Sequence, residues 1–281
     1  MDSTRVEVAA TVSLAVRRWA GPESAWPFVL VHGLSSNARL WDAVARELAA
    51  AGHAVYAIDL RSHGESDAPA EGYDTGTAAA DVAAAMAALG IGRAVVAGQS
   101  WGGNVVVRLA AQHPEVVSAL ALVDGGWLDL SAEFDSWEAC EAALRPPEID
   151  GRPAAELRGY LQSGHPGWST EAIEATVANL RIADDDTVSR RLSIPHHMEI
   201  VRSMWTDSPW ADLSRITVPV LLLPAVPTEP AAAARRRAQV ARAAEALAAP
   251  RVREYPGADH DLHAERPEAL AKDLLTLVEA V

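Results

Sequence analysis

Residues Gly98-Gln99-Ser100-Trp101-Gly102 fit the pattern G-x-S-x-G. By itself the pattern is weak, because small residues recur at such spacings by chance. Its surroundings give it meaning: the apolar run Ala94-Val95-Val96-Ala97 leads in, and a helical pattern from Asn104 to Gln112 follows. A sharp strand-to-helix turn holds its central serine in a strained backbone conformation, and side chains at the flanking glycines would collide. The Ser100 hydroxyl then stands at the carboxyl end of a sheet, beside a helix N-terminus whose dipole and free N–H groups favour developing negative charge. Serine in that position suits nucleophilic catalysis, provided a neighbouring base takes its proton.

The elements that must position it are legible as alternating patterns. Val6 to Val16 alternates apolar with polar or small residues, as a half-buried antiparallel pair does. Continuous apolar runs at Phe28–Val31, Ala54–Leu60, Ala94–Ala97, Val117–Val123 and Val218–Leu223 predict strands covered on both faces, and Arg251–Tyr255 predicts one more. Helical spacing falls at Leu40–Ala51, Thr77–Leu89, Asn104–Gln112, Ala231–Ala248 and Pro267–Val281. Strands alternating with helices imply right-handed crossovers and a mostly parallel sheet, hence an α/β fold. The alternation breaks from Trp127 to about Ser214, a stretch with five of the nine tryptophans. We expect a core of residues 1–126 and 214–281, with 127–213 inserted as a helical cap.

Composition narrows the classes. The chain has 281 residues, 49% of them hydrophobic, and a formal charge of −14. That balance argues against nucleic acid or an anionic membrane as partner, because phosphate binding needs clustered cations. Lys272 is the single lysine and Cys140 the single cysteine. One thiol makes no intrachain disulfide and lacks the companions of a metal site; His196-His197 has neither spacing nor partners for one. We therefore expect no metal and no cofactor. The N-terminus lacks the pattern of a signal peptide and no apolar run approaches membrane-spanning length, so the expectation is a cytoplasmic protein. A homodimer is left open.

At these residues the chain resembles the α/β-hydrolase superfamily over nearly its whole length. His32-Gly33 after Phe28–Val31 looks like that family's oxyanion loop. Asp59-Leu60-Arg61-Ser62-His63-Gly64-Glu65-Ser66 looks like its D-x-R-G-H-G-x-S segment, with Ser62 where glycine is usual. Gly257-Ala258-Asp259-His260, followed by Glu265-Arg266-Pro267-Glu268, looks like the segment carrying the catalytic histidine, with Ala258-Asp259 in place of x-G. The resemblance implies an α/β-hydrolase fold with His260 as general base, since a neutral imidazole suits that work near neutral pH. His263 is the rival three residues on. His32 is expected to shape the oxyanion loop, His63 to pack its own loop, and His53 and His113 to lie at the surface or a helix end.

The acid departs from the common pattern. Most relatives place an aspartate after the strand matching Val218–Leu223, where this chain reads Leu223-Pro224-Ala225-Val226-Pro227-Thr228-Glu229-Pro230. Two candidates remain. Asp124 follows the preceding strand, 24 residues after Ser100, and some α/β-hydrolases carry their acid there. Glu229 sits one residue beyond the usual site. We favour Asp124, noting that Asp-Gly after this strand also serves merely to organise a turn. The oxyanion hole implied is the backbone N–H groups of Leu34 and Trp101. Trp127, Trp205 and Met198 are candidates for a pocket taking an apolar or aromatic substrate, or for packing the cap onto the core.

The resulting expectation is a serine hydrolase that cleaves a carboxylic ester or lactone through an acyl-enzyme. The alternatives are a carbon–carbon bond hydrolase or thioesterase with the same triad, or a non-hydrolytic tailoring or ligand-binding protein on this fold. Serine at position 100 argues against dehalogenase and epoxide hydrolase chemistry, which need a carboxylate nucleophile.

Overall fold

The computed structural model describes residues 1–22 and 25–281. Its strands are β1 (Asp2–Ala9), β2 (Val12–Trp19), β3 (Phe28–Val31), β4 (Val55–Ile58), β5 (Ala94–Gln99), β6 (Val117–Val123), β7 (Leu180–Ile182), β8 (Val188–Arg190), β9 (Val220–Leu223), β10 (Ala225–Val226), β11 (Pro250–Val252) and β12 (Tyr255–Pro256). Eight of them form one sheet in the order β1-β2-β4-β3-β5-β6-β9-β11. The β1–β2 and β2–β4 pairings are antiparallel and the rest parallel. The parallel interior follows from composition: β3, β4, β5, β6 and β9 are buried along their whole length, as strands with helices on both faces must be.

Helices α1 (Asp42–Ala50), α2 (Thr75–Ala88) and α3 (Trp101–Gln112) follow β3, β4 and β5. After β9 come α10 (Pro230–Ala246), α11 (Leu262–Glu265) and α12 (Pro267–Leu275). Two apolar cores result. One, with α1 and α12, includes Phe28, Leu30, Trp41, Leu48 and Leu270. The other, with α2 and α3, includes Val29, Val31, Met86, Val105 and Leu109. Because β3 lies between β4 and β5, the chain turns to opposite sides of the sheet on leaving β3 and β4. That reversal opens a crevice at the carboxyl ends of β3 and β5, the place where open parallel sheets bind ligands.

Between β6 and β9 lie α4 (Leu130–Glu133), α5 (Trp137–Leu144), α6 (Ala154–Gly164), α7 (Thr170–Val177), α8 (Ile194–Thr206) and α9 (Trp210–Leu213). The small antiparallel hairpin β7–β8 sits among them, strand structure that the helical patterns of this stretch do not reveal. The segment is tied to the loops after β3 and β4. Asn179 Nδ2 donates to Ser35 O (2.7 Å), Asn37 Nδ2 to Ala175 O (2.7 Å) and an Arg191 guanidinium nitrogen to Gly64 O (2.9 Å).

Two expected elements are subdivided. The Arg251–Tyr255 run is two pieces, β11 beside β9 and β12 beside β10. Pro224 explains the break: it separates β9 from β10 and has no N–H to give the ladder. The C-terminal helix ends at Leu275, followed by a single 3₁₀ turn at Val278–Ala280. No helix among the described residues is long and apolar enough to cross a membrane.

Candidate active site

Ser100 is the N-cap of α3 and has φ +54° and ψ −125°, a strained backbone for a residue with a Cβ. The flanking residues must be small: a Cβ on Gly98 would strike the Gly102 backbone, and one on Gly102 would strike the His32 carbonyl. The Ser100 N–H donates to Val123 O at 3.0 Å, which fixes the elbow against the end of β6. In register, Gln99 of β5 faces Val123 of β6, so Ser100 and Asp124 leave adjacent strands side by side.

Asp124 has φ +43°, a left-handed conformation that aspartate tolerates better than most residues, and it is 1% exposed. Its Oδ2 accepts the His260 Nδ1–H at 2.6 Å. Its Oδ1 accepts the Ala225 N–H at 3.0 Å and an Arg236 guanidinium N–H. Placing the ring proton on Nδ1 leaves the Nε2 lone pair of His260 free to accept one, which is the tautomer a general base needs. The His260 ring is half-exposed; the desolvation it does suffer works against charge, yet the hydrogen bond and charge of Asp124, with the charge of Asp261, outweigh it and raise the pKa above 6.5.

His260 reaches this place from a loop held at several points. β12 pairs with β10, and the Gly257 N–H donates to Val226 O at 2.8 Å. Gln99 Nε2 then donates to His260 O (3.3 Å) and to Asp261 Oδ1 (3.2 Å). The residue before the serine thus anchors the segment bearing the histidine, a role the G-x-S-x-G pattern does not signal.

Glu229 lies elsewhere. It caps α10, accepting the N–H groups of Ala231 (2.8 Å) and Ala232 (2.6 Å), and it is exposed. Those two bonds hold its carboxyl below the ordinary range. His263 is fully buried, its ring 4.6 Å from that of Trp41, and neither ring nitrogen has a partner among the described residues; burial pushes its pKa down to about 4.

The loop after β3 approaches the serine closely. A Cβ on Gly33 would meet the Gln99 side chain and, at 2.9 Å, Ser100 Cβ. Leu34 follows, and Trp101 is the first residue of α3, where an N–H has no intrahelical acceptor. Two buried histidines brace this loop. His32 Nδ1 donates to Gly33 O (2.7 Å) while Nε2 accepts the Leu60 N–H (3.0 Å). His63 Nδ1 donates to Arg61 O (2.8 Å) while Nε2 accepts the Ser35 N–H (3.2 Å). Burial lowers the pKa of both, His63 to about 4, so each stays neutral and keeps its acceptor nitrogen. Ser62 has φ +60°, the left-handed conformation that explains why glycine is usual there, and its hydroxyl lies 2.8 Å from that of Tyr73. His53 is half-buried against Phe28, with Nδ1 donating to Trp26 O, and His113 closes α3.

Trp127 (2% exposed) and Met198 (9%) lie in the apolar cluster that also holds Trp101, and Trp205 packs partly buried against it. The Trp205 ring meets that of Trp137 edge-on at 6.1 Å, and Trp101 Nε1 donates to Thr75 Oγ1 at 3.1 Å. The first contact lies within the 127–213 segment and the second within the core; the Thr75 N–H, donating to Ser203 Oγ at 2.9 Å, joins the two. Cys140 is buried within the same cluster.

Comparison with known proteins bears on the family and the fold. The family described as alpha/beta hydrolase fold matches residues 27–157. The chain is 31% identical over 280 residues to a non-heme chloroperoxidase of Streptomyces lividans, covering 92% of this chain and 94% of that protein. It is 32% identical over 231 residues to rhodomycin D methylesterase DauP of Streptomyces sp. (strain C5), covering 73% and 76%. The solved structure of E-2-(acetamidomethylene)succinate hydrolase superposes with a TM-score of 0.79 at 24% identity, covering 99% of each chain.

Proposed function

Since the chain belongs to the α/β-hydrolase family, we propose that it is a serine hydrolase that opens a carboxylic ester or lactone through an acyl-enzyme. Ser100 is the nucleophile, His260 the general base and Asp124 the acid that orients it. Leu34 and Trp101 supply the oxyanion N–H groups. The observation that carries this reading is the His260 Nδ1–Asp124 Oδ2 hydrogen bond of 2.6 Å at the carboxyl end of the strand beside the strained Ser100 turn.

In the acylation step Ser100 Oγ attacks the carbonyl carbon while His260 Nε2 takes the hydroxyl proton. Charge collects on the carbonyl oxygen, where the two backbone N–H groups are fixed before it appears. Collapse of the tetrahedral species breaks the bond to the leaving oxygen, which takes the proton from His260. In a lactone that oxygen stays tethered to the acyl group. Water then attacks the acyl-enzyme by the same route, releasing the acid and restoring Ser100.

Residues 127–213 act as a cap over this site, and the apolar side chains around Trp127, Met198 and Trp205 favour a small apolar or aromatic acyl or alcohol group. The 32% identical methylesterase supports an ester over the other carbonyl compounds this chemistry serves. The test is labelling by a fluorophosphonate, followed by a panel of esters and lactones. Wild-type protein is expected to be modified at Ser100, and Ser100→Ala to be inert. Folded wild-type protein that resists labelling would remove the hydrolase reading in favour of a ligand-binding role.

A further inference from the structure

The acid of this site, at the end of β6, is held by a cation from α10. Oδ2 of Asp124 faces His260, while Oδ1 takes two donors, the Ala225 N–H at the start of β10 and the guanidinium of Arg236 on α10. Asp124 is 1% exposed and the Arg236 side chain 25% exposed, so this pair lies where solvent screening is weak. An aspartate carboxyl group rotates over a broad range about its last torsion. Donors on one oxygen remove that freedom and leave the other oxygen directed at the histidine.

The same stretch of chain supplies both halves of the arrangement. Glu229 caps α10 and Pro230 opens it, fixing where Arg236 falls on the helix. β10, just before, pairs with β12, which leads to His260. The region after β9, which offers no aspartate, presents an arginine to an aspartate placed one strand earlier.

We propose that Arg236 is the positioning residue of this site, acting through Asp124 to keep that carboxylate oriented on His260. The proposal rests on the Ser100–His260–Asp124 reading. The charged groups around His260 are Asp124 at the end of β6, Arg236 on α10, and Asp261 and the neutral His263 on its own segment. The two aspartates favour the imidazolium and Arg236 opposes it. Arg236 also faces Glu133 of α4, itself bonded by Gln239 at 3.3 Å.

The experiment is the rate of fluorophosphonate modification of Ser100 as a function of pH, which reads the ionisation of His260 without a known substrate. Arg236→Met is expected to slow labelling roughly tenfold, within the range over which contacting residues couple. It is also expected to move the acid limb of the profile upward, because the charge opposing the imidazolium is gone. Arg236→Lys restores the limb. Arg237→Met, on the same helix as Arg236, breaks its ion pair with Glu254 beyond β11 and leaves rate and limb unchanged. Asp124→Asn moves the limb downward, and adding Arg236→Met to it slows labelling no further. Should Arg236→Met not fold, Arg236→Gln, with a donor but no charge, carries the same prediction for the limb.

A wild-type rate and limb in the uncharged variant overturns the proposal. So does a full tenfold loss repeated on top of Asp124→Asn. Absence of labelling in wild type sinks the triad reading itself, whereas labelling indifferent to residue 236 sinks only the role of Arg236.

Discussion

Asp124 and Glu229 are both carboxylates near strand ends, and only the first touches an imidazole. Asp124→Asn should therefore reduce turnover by about 10³–10⁴, since an amide favours the wrong tautomer of the histidine. Glu229→Gln should leave turnover within about twofold of wild type, because it changes no group in contact with the reacting atoms. Steady-state rates on any ester the protein hydrolyses make the comparison, and the reverse ranking would transfer the acid to Glu229. The pH profile follows from His260. Its pKa lies above 6.5 because Asp124 and Asp261 outweigh burial, and a general base must be neutral. The rise of kcat/KM with pH should thus fall above 6.5 in wild type, and below the wild-type position once Asp124 is neutralised.

At the scale of elements, β3, β4, β5, β6 and β9 were legible because each is a short apolar run ending in a polar, glycine or proline turn, and the two cores need nothing more; the β7–β8 hairpin was not, because its short strands carry no such run. Ser100 was legible because its turn joins two strong patterns. The β11–β12 break was not, because the kink originates in Pro224 on a neighbouring strand rather than in the Arg251–Tyr255 sequence. Arg236 was also hidden. It lies in an alanine- and arginine-rich helix that reads as plain surface, and its partner is 112 positions away in the chain, so no local period links them. Glu229 illustrates the converse: its position between prolines suits a helix cap as well as a catalytic acid, and the structure makes it a cap. Glu229→Ala should lower the thermal midpoint by roughly one to three degrees while leaving Ser100 labelling intact. Loss of labelling at full stability would count against that assignment.

At the scale of the whole molecule, its buried histidines set the response to acid. His32, His63 and His263 are neutral in the folded protein because burial disfavours their charged forms. Burial takes the latter two from the ordinary 6.5 down to about 4. In that window the unfolded chain binds more protons than the folded one, so stability is complete above the unfolded value and declines as pH falls. Each such group contributes a slope of about 1.4 kcal/mol per pH unit. Asp59 opposes them: burial raises its pKa from 3.8 to about 6, so the folded state holds an extra proton there. His197 joins the lowered histidines and the raised His260 joins Asp59, so four groups against two predict a lower urea midpoint at about pH 5 than at about pH 7, with an unchanged m-value. Equal midpoints would mean that the histidines become hydrated before the molecule unfolds.

Cys140 sits on α5, shielded from solvent, in a chain with no other sulfhydryl. A disulfide-exchange reagent such as Ellman's can reach it only when α5 parts from its neighbours, α8 among them, so the reaction kinetics time that local opening at a natural probe, without engineered dyes. A reaction as fast as that of a free thiol would reveal that this packing stands open most of the time.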